Sequence, residues 1–148
     1  MNRRSNTVVI CDSNPLLAED LAERVGEADF AVAGRARDVH EADALLVSEH
    51  PDVLVISAAL CESGDELLDK ARAMGTATLV YGPPNHATAD AYLDGGADVY
   101  VFRSTPIEDF LAALHQLIER TIYFRSAMRP VAHKLTDREA EVLRLRGK

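Results

Sequence analysis

The feature that most constrains this chain is a fivefold alternation of short apolar runs with longer segments of helical periodicity. The runs are rich in β-branched residues and stop at polar or glycine-containing turns, as Thr7–Cys11 and Val53–Ser57 do. Between them, apolar residues such as Leu17, Leu21 and Val25 recur every three or four positions, which is the spacing of one helix face. Because neighbouring parallel strands need a crossover helix, five such units predict an α/β domain with a parallel sheet.

The predicted strands are Thr7–Cys11, Phe30–Gly34, Val53–Ser57, Ala77–Tyr81 and Asp98–Phe102. The third is uninterruptedly apolar rather than alternating, which is typical of a strand covered on both faces. Right-handed crossovers between five strands favour the flavodoxin-like, doubly wound order 2-1-3-4-5, with helices on both faces of the sheet. In that order a functional site is expected at the carboxyl ends of strands 1 and 3, where the winding reverses.

Polar residues follow the strand ends at which this site is expected. Asp12, Ser13 and Asn14 come directly after strand 1, and Ser57–Cys61 lie at the end of strand 3 and after it. Tyr81 ends strand 4, and Arg103 follows strand 5. Because the carboxyl ends of parallel strands meet at one edge of a sheet, these residues are predicted to lie at the same edge.

Charge and hydrophobicity restrict the partners that the chain can have. Residues 1–119 carry a net charge of −13, whereas residues 120–148 carry +5. An acidic body repels nucleic acid, so only the basic tail is expected to approach DNA. No apolar run reaches the ~18 residues needed to span a bilayer, and the first residues lack the apolar core of a signal peptide. The chain is therefore expected in the cytoplasm, with no membrane contact.

Several motifs together resemble the receiver domains of bacterial response regulators, specifically the NarL/FixJ-like branch that carries a LuxR-type helix-turn-helix. The resemblance covers nearly the whole chain, and its marks in the body are Cys11–Leu16, Pro51–Ser57, Gly96–Arg103 and Thr105–Pro106. In the tail, Leu135–Leu143 is similar to the opening helix of the DNA-binding domain, with Thr136 and Glu139 at capping-box positions. The resemblance implies a phosphate-accepting pocket at the predicted site and a switch aromatic at Tyr100.

The pocket residues depart from the pattern that the resemblance implies. Ser57 stands where the family carries the phosphate-accepting aspartate, and Ser13 replaces the second member of an acidic pair that holds magnesium. Tyr81 replaces the small hydroxyl residue of strand 4, and Arg103 replaces the lysine of strand 5. The sequence thus predicts a degenerate phosphorylation pocket that retains the family's scaffold but not its chemistry.

These replacements predict a site without phosphorelay, metal or cofactor. Magnesium prefers several hard oxygen ligands, and Asp12 supplies a single carboxylate. A serine hydroxyl needs an adjacent base to attack phosphorus, and the sequence places no histidine beside Ser57. Arg103 keeps a positive charge that can pair with a carboxylate through two hydrogen bonds. We therefore expect an Asp12–Arg103 ion pair in the vacated pocket, with the Tyr81 ring filling more of it.

The domain boundaries follow from the change in charge and from the tail motif. Residues 1–123 are predicted to form the receiver-like domain, 124–134 an interdomain linker, and 135–148 the start of a truncated LuxR-type helix-turn-helix. A recognition helix that reads the major groove is expected to lie outside this chain. DNA contact is thus expected only through a domain missing from it.

The combined expectation is a non-enzymatic regulatory domain of a DNA-binding transcriptional regulator that acts without phosphorylation. It would act through homodimerisation or through contact with a small-molecule or protein effector. The alternative is a stand-alone adaptor or small-molecule sensor with no DNA binding. An enzyme that uses Ser57 as a nucleophile is disfavoured, because no base and orienting residue accompany this serine.

Overall fold

A computed structural model describes residues 6–61 and 65–127, in which strands and helices alternate in the predicted order. The strands are β1 (Thr7–Cys11), β2 (Ala31–Ala36), β3 (Val53–Ser57), β4 (Ala77–Gly82) and β5 (Val99–Phe102). The helices are α1 (Pro15–Glu27), α2 (Val39–Glu49), α3 (Ala58–Cys61), α4 (Asp65–Ala73), α5 (His86–Asp94) and α6 (Ile107–Ala127). No helix in these two ranges is both long and apolar enough to cross a bilayer.

The five strands form one sheet in the order β2-β1-β3-β4-β5, and every pair is parallel. This confirms the predicted flavodoxin-like order. The register places Cys11 opposite Ile56 and Ser57 opposite Tyr81, so the carboxyl ends of the three central strands lie side by side. The residues that follow these strands therefore meet at one edge of the sheet.

The two faces of the sheet carry separate cores, because side chains alternate along each strand. One face packs against α1 and α6, and its buried strand residues are Val8, Ile10, Val53, Val55, Leu79, Tyr81, Val99 and Val101. The other face packs against α2 to α5, and its buried strand residues are Val9, Cys11, Ala36, Leu54, Ile56, Val80 and Tyr100. Helices therefore cover both faces, as predicted. All five residues of β3 are buried, which explains its uninterrupted apolar run.

The N-terminus of α2 shows how closely local sequence signals set the element boundaries. The Asp38 carboxylate accepts a hydrogen bond of 2.8 Å from the backbone N–H of Glu41, as the N-cap residue of a capping box does. The Glu41 carboxylate reaches back to the backbone N–H of Arg37, at 2.8 Å, one residue before the cap. An ion pair of 3.0 Å between Glu41 and the Arg37 guanidinium reinforces this turn.

Several boundaries differ from the sequence prediction. The fourth strand ends one residue later than predicted, at Gly82, and the fifth begins one residue later, at Val99. The second strand begins and ends later than the predicted Phe30–Gly34, and Ala33 is an extra residue in its register with β1. The four-residue helix α3 was not predicted, because one turn is too short to show helical periodicity. Helix α6 continues to Ala127, so the first residues of the predicted 124–134 linker are helical. The rest of that linker and the predicted 135–148 segment lie outside the described residues.

Candidate functional site

Three of the predicted pocket residues continue the strand alternation that faces α1 and α6. Asp12 follows Ile10 in this alternation, and Ser57 and Tyr81 end the corresponding series in β3 and β4. Their side chains are almost completely buried, with exposed fractions of 4%, 3% and 5% respectively. The structure thus brings Asp12, Ser57 and Tyr81 together at the carboxyl edge of the sheet, as predicted.

The Asp12 carboxylate is bound by two donors from the chain itself. The Tyr81 hydroxyl donates a short hydrogen bond to Oδ2 of Asp12. The backbone N–H of Asn14 donates to Oδ1 at 2.8 Å, which fixes the turn that leads into α1. The Tyr81 ring meets Phe110 of α6 edge-on, at 6.4 Å between ring centroids, so the ring also belongs to the core. The Tyr81 side chain therefore contacts both the Asp12 carboxylate and the core beneath α6.

The environment of Tyr81 keeps its hydroxyl protonated. Burial is the largest cause that raises the pKa of Tyr81 above its ordinary value, and the hydrogen bond and negative charge of Asp12 raise it further. The positive charge of Arg103 acts in the opposite direction but does not reverse the shift. The hydroxyl is thus a permanent donor to the Asp12 carboxylate at neutral pH.

The two remaining pocket residues, Ser13 and Arg103, are not buried with Asp12, Ser57 and Tyr81. Both side chains are exposed, and the backbone N–H of Arg103 donates to the carbonyl of Gly82 at 2.7 Å. The predicted Asp12–Arg103 ion pair is not formed. Ion pairs within residues 6–61 and 65–127 join other residues instead. Asp12 does not need the guanidinium, because Tyr81 and Asn14 already donate to its two oxygens.

The predicted switch aromatic, Tyr100, lies on the opposite face of the sheet. Its ring is buried and stacks on Tyr92 of α5 at a centroid distance of 5.7 Å, and its hydroxyl donates to the carbonyl of Pro83 at 3.0 Å. Burial raises the pKa of Tyr100 above its ordinary value. Tyr92, which no sequence pattern singled out, donates from its hydroxyl to the carbonyl of Ala58 at 2.9 Å, directly after Ser57.

Cys11 is next to Asp12 in sequence but does not face the pocket. Its side chain lies in the core beneath α2 to α5, and the thiol donates weakly to the carbonyl of Asp38 at 3.6 Å. Burial, followed by the nearby Cys61, raises the pKa of Cys11 from 9.0 to about 12. Because the thiolate is the reactive form, the structure predicts an inert thiol.

We expect Cys11 to resist alkylation in the folded protein at pH 8. In the Cys61→Ala variant, Cys11 is the single thiol in the chain, so iodoacetamide labelling followed by mass spectrometry reports on it alone. Labelling should be at least about 100-fold slower than in urea, since it requires local opening of the core. Equal rates in the folded and denatured protein would contradict the buried placement of this thiol.

The donor atoms at this edge do not fit a magnesium ion. Asp12 is the one carboxylate of the buried group, and Tyr81 and Asn14 already occupy its oxygens. Mg²⁺ needs near-octahedral oxygen coordination, and a neutral phenol hydroxyl does not supply the second negative charge. Within the part of the chain that the structure describes, no three His, Cys, Asp or Glu side chains form a group that could hold a metal ion.

The parallel 2-1-3-4-5 sheet, with its polar pocket at the carboxyl edge, is the fold of response-regulator receiver domains. In sequence, the chain is similar to the nitrate/nitrite response regulator protein NarL of Escherichia coli K12. The two are 27% identical over 164 aligned residues, which cover 97% of this chain and 76% of NarL. NarL of Escherichia coli O6:H1 gives the same values. No family model matches the chain.

Solved structures of receiver domains superpose on the chain at low sequence identity. The receiver domain of the Francisella response regulator 1452 has a TM-score of 0.71 and 22% identity, and covers 78% of this chain and 98% of its own. The CheY-like receiver domain protein of Methanospirillum hungatei JF-1 has a TM-score of 0.71 and 17% identity, covering 81% and 98%. The signal receiver domain of an HD domain-containing protein of Pseudomonas fluorescens Pf-5 has a TM-score of 0.73 and 21% identity, covering 85% and 96%. The chain therefore has the receiver fold and a NarL-like sequence.

Proposed function

We propose that this chain is the regulatory receiver domain of a NarL-like transcriptional regulator whose pocket does not take part in phosphotransfer. The main support for this proposal is the hydrogen bond from the Tyr81 hydroxyl to the Asp12 carboxylate. Asp12 is the acidic residue that remains in the pocket, and this bond occupies one of its two oxygens. Ser57 lies beside this pair, 3% exposed, at the end of β3. The domain is therefore a fixed scaffold at this edge rather than a phosphate-operated switch.

The surroundings of Ser57 support a non-enzymatic role. Nucleophilic serines need a base within hydrogen-bonding distance, and the base needs an orienting partner. His86, the first residue of α5, is exposed and packs its ring against Phe102 at 5.4 Å between ring centroids. We therefore assign no catalytic residue, and propose Ser57 as a neutral core residue.

The proposed partners follow from the likeness to NarL and from the tail. A cytoplasmic regulator of this kind would act as a homodimer or through a small-molecule or protein effector, and would reach DNA through a helix-turn-helix beyond the described residues. The acidic body, with a net charge of −13 over residues 1–119, does not suit direct DNA contact. DNA binding is therefore assigned to the basic segment, residues 120–148, which carries a net charge of +5.

We expect no phosphorylation when the purified chain is incubated with acetyl phosphate and Mg²⁺. Intact-mass spectrometry should show no adduct of a phosphoryl group, and size-exclusion chromatography should show no change in oligomeric state. The physical reason is that the acyl phosphate of a receiver forms on a carboxylate at the end of strand 3. Here Ser57 stands at that position, and the buried carboxylate that remains, Asp12, already accepts a hydrogen bond at each oxygen.

The matched control is a variant that restores the family's residue types: Ser13→Asp, Ser57→Asp, Tyr81→Thr and Arg103→Lys. If the scaffold is intact, this variant should gain a phosphoryl adduct under the same conditions, removable by hydroxylamine as expected for an acyl phosphate. A hydroxylamine-sensitive adduct on the unaltered chain would overturn the proposed function.

A further inference from the structure

An open cavity of about 460 Å³ lies between α4 and α5, with Cys61 of α3 also in its lining. Leu68 and Tyr92, which line it too, belong to the core beneath α2 to α5, whereas Tyr81 faces the other core. The cavity is therefore separate from the pocket that holds Asp12. Its volume lies within the range of roughly 300–1,000 Å³ that is typical of small-molecule sites.

The walls of this cavity are apolar and differ in shape. On the α5 side they consist of Ala87, Ala91 and Gly95, which follow one another at intervals of four residues and so form one smooth strip along the helix. On the α4 side stands Leu68, which is 1% exposed. A strip of small side chains facing a leucine leaves a gap between two helices that suits a flat apolar group.

Tyr92 gives the cavity an aromatic wall that is fixed in place. Its ring lies nearly parallel to that of Tyr100, with an interplanar angle of 20°, and its hydroxyl donates to the carbonyl of Ala58 at 2.9 Å. A ring held at both its face and its hydroxyl loses little further freedom when a ligand packs against it, which favours binding. Aromatic side chains pack well against other rings, in stacked or edge-on arrangements.

A guanidinium group lies at the Gly95 end of the cavity. A Cβ atom on Gly96, the residue after Gly95, would lie 2.5 Å from Nη2 of Arg72, which shows how closely this side chain approaches the turn between α5 and β5. Arg72 comes one helical turn after Leu68 and is exposed. The ion pairs within residues 6–61 and 65–127 do not include it. A guanidinium can bind a carboxylate through two parallel hydrogen bonds.

Asp98 does not take up this guanidinium. Its carboxylate accepts a hydrogen bond of 2.8 Å from the backbone N–H of Thr78, and it forms no ion pair of 4 Å or less with Arg72. Burial raises the pKa of Asp98, and the positive charges of Arg120 and Arg72 oppose this rise from a longer distance. Arg72 therefore keeps donors that an anionic ligand in the cavity can use.

We propose that the cavity between α4 and α5 is a binding site for a small carboxylic acid with a flat apolar ring. The ring packs between Ala91 and Leu68, against Tyr92, and the carboxylate binds the Arg72 guanidinium at the open end. The inference deepens the proposed function, because it gives the small-molecule effector of that regulator a site and a chemical class. It uses none of the residues of the Asp12 pocket.

Isothermal titration of the full chain with three indole compounds tests both the site and the charge of the ligand. Indole-3-acetate should bind with a Kd of about 1 mM or tighter, as expected for a ligand of this size in a preformed cavity. Its amide, indole-3-acetamide, should bind about fivefold more weakly, because it lacks the charged hydrogen bonds to Arg72. Tryptamine should also bind more weakly than the acid. Because residues 1–119 carry a net charge of −13, non-specific attraction would favour tryptamine instead.

Two variants locate the site. Arg72→Gln should reduce the affinity for indole-3-acetate about fivefold and leave that for the amide unchanged. Ala91→Phe, or Ala87→Phe if the first variant does not fold, fills the gap and should weaken binding of both at least about tenfold. Ala73→Phe is the matched control, because Ala73 is an exposed residue of α4 that does not line the cavity, and it should leave both affinities unchanged.

Several results would overturn this assignment: no saturable binding of the acid, binding of the acid no tighter than that of the amide or of tryptamine, or unchanged affinity in the filled variant. Phosphorylation by acetyl phosphate is measured separately on the same chain. A phosphoryl adduct there would contradict the proposed function without affecting the titrations, so the two proposals fail independently.

Discussion

Tyr81→Ala should lower the free energy of unfolding by about 3–5 kcal/mol, the largest loss expected for a single substitution in the pocket. The variant removes a buried ring that meets Phe110 edge-on, and it leaves a cavity at the carboxyl edge of the sheet. It also removes the hydroxyl that donates to Asp12, so a buried carboxylate keeps only the backbone N–H of Asn14. Urea denaturation followed by circular dichroism measures this loss.

Tyr81→Phe divides the loss into its two parts. It keeps the ring and its contact with Phe110 but removes the hydroxyl, so the expected loss is about 1–3 kcal/mol, the cost of depriving a buried charged acceptor of its donor. Tyr100→Phe is the control, because its hydroxyl donates to the neutral carbonyl of Pro83. It should cost less, about 0.5–1.5 kcal/mol.

The difference between the unaltered chain and Tyr81→Phe should depend on pH. Because the folded state raises the pKa of Tyr81, the stabilisation is fully present below the ordinary tyrosine pKa of about 10 and is lost as the pH rises above it. The two unfolding free energies should therefore converge above about pH 10. A Tyr81→Phe variant as stable as the unaltered chain at pH 7 would show that the Asp12 contact does not stabilise the domain.

Much of the site was predictable because two rules hold for parallel sheets: their strand order determines where the strand ends meet, and side chains alternate between the two faces along each strand. The apolar runs fixed the strands, and the strand order fixed the edge at which their carboxyl ends meet. The alternation of side chains places Asp12, Ser57 and Tyr81 on one face and Cys11 on the other. Counting from the buried strand residues would have placed each of these four side chains on its face without a structure.

The contacts between side chains were not predictable in the same way. Arg103 was the expected partner of Asp12, because a planar guanidinium pairs well with a carboxylate. In the structure the Arg103 side chain, in the turn after β5, is exposed to solvent. The Tyr81 hydroxyl at the end of β4 binds the Asp12 carboxylate instead. The hydroxyl of Tyr92 bridges 34 positions along the chain to Ala58, and no local pattern signals such a contact. Long-range contacts of this kind depend on how α5 lies on the sheet, which the sequence specifies only through packing.

Gly82, the last residue of β4, is expected to tolerate no side chain. A Cβ atom at this position would lie 2.5 Å from the hydroxyl oxygen of Tyr100 and 2.6 Å from the Cβ of Ala58. Tyr100 and Ala58 are both buried, so neither side chain can move away from the added Cβ atom without displacing other core residues. Gly82→Ala should therefore cost about 1–3 kcal/mol or more through overpacking. Gly26→Ala is the control, because no atom lies within 4 Å of its added Cβ on α1, and it should stabilise by up to about 1 kcal/mol.

The cause of the Gly82→Ala loss can be assigned by rescue. Tyr100→Phe removes the hydroxyl that the new methyl group would strike, and Ala58→Gly removes the opposing Cβ atom. Because both contacts are shorter than any ordinary carbon contact, each rescue alone should recover part of the loss, and the two together most of it. If neither rescue recovers stability, the loss comes from the backbone of the β4 end instead. In that case the close approach of β3, β4 and β5 at this edge would not be what requires glycine.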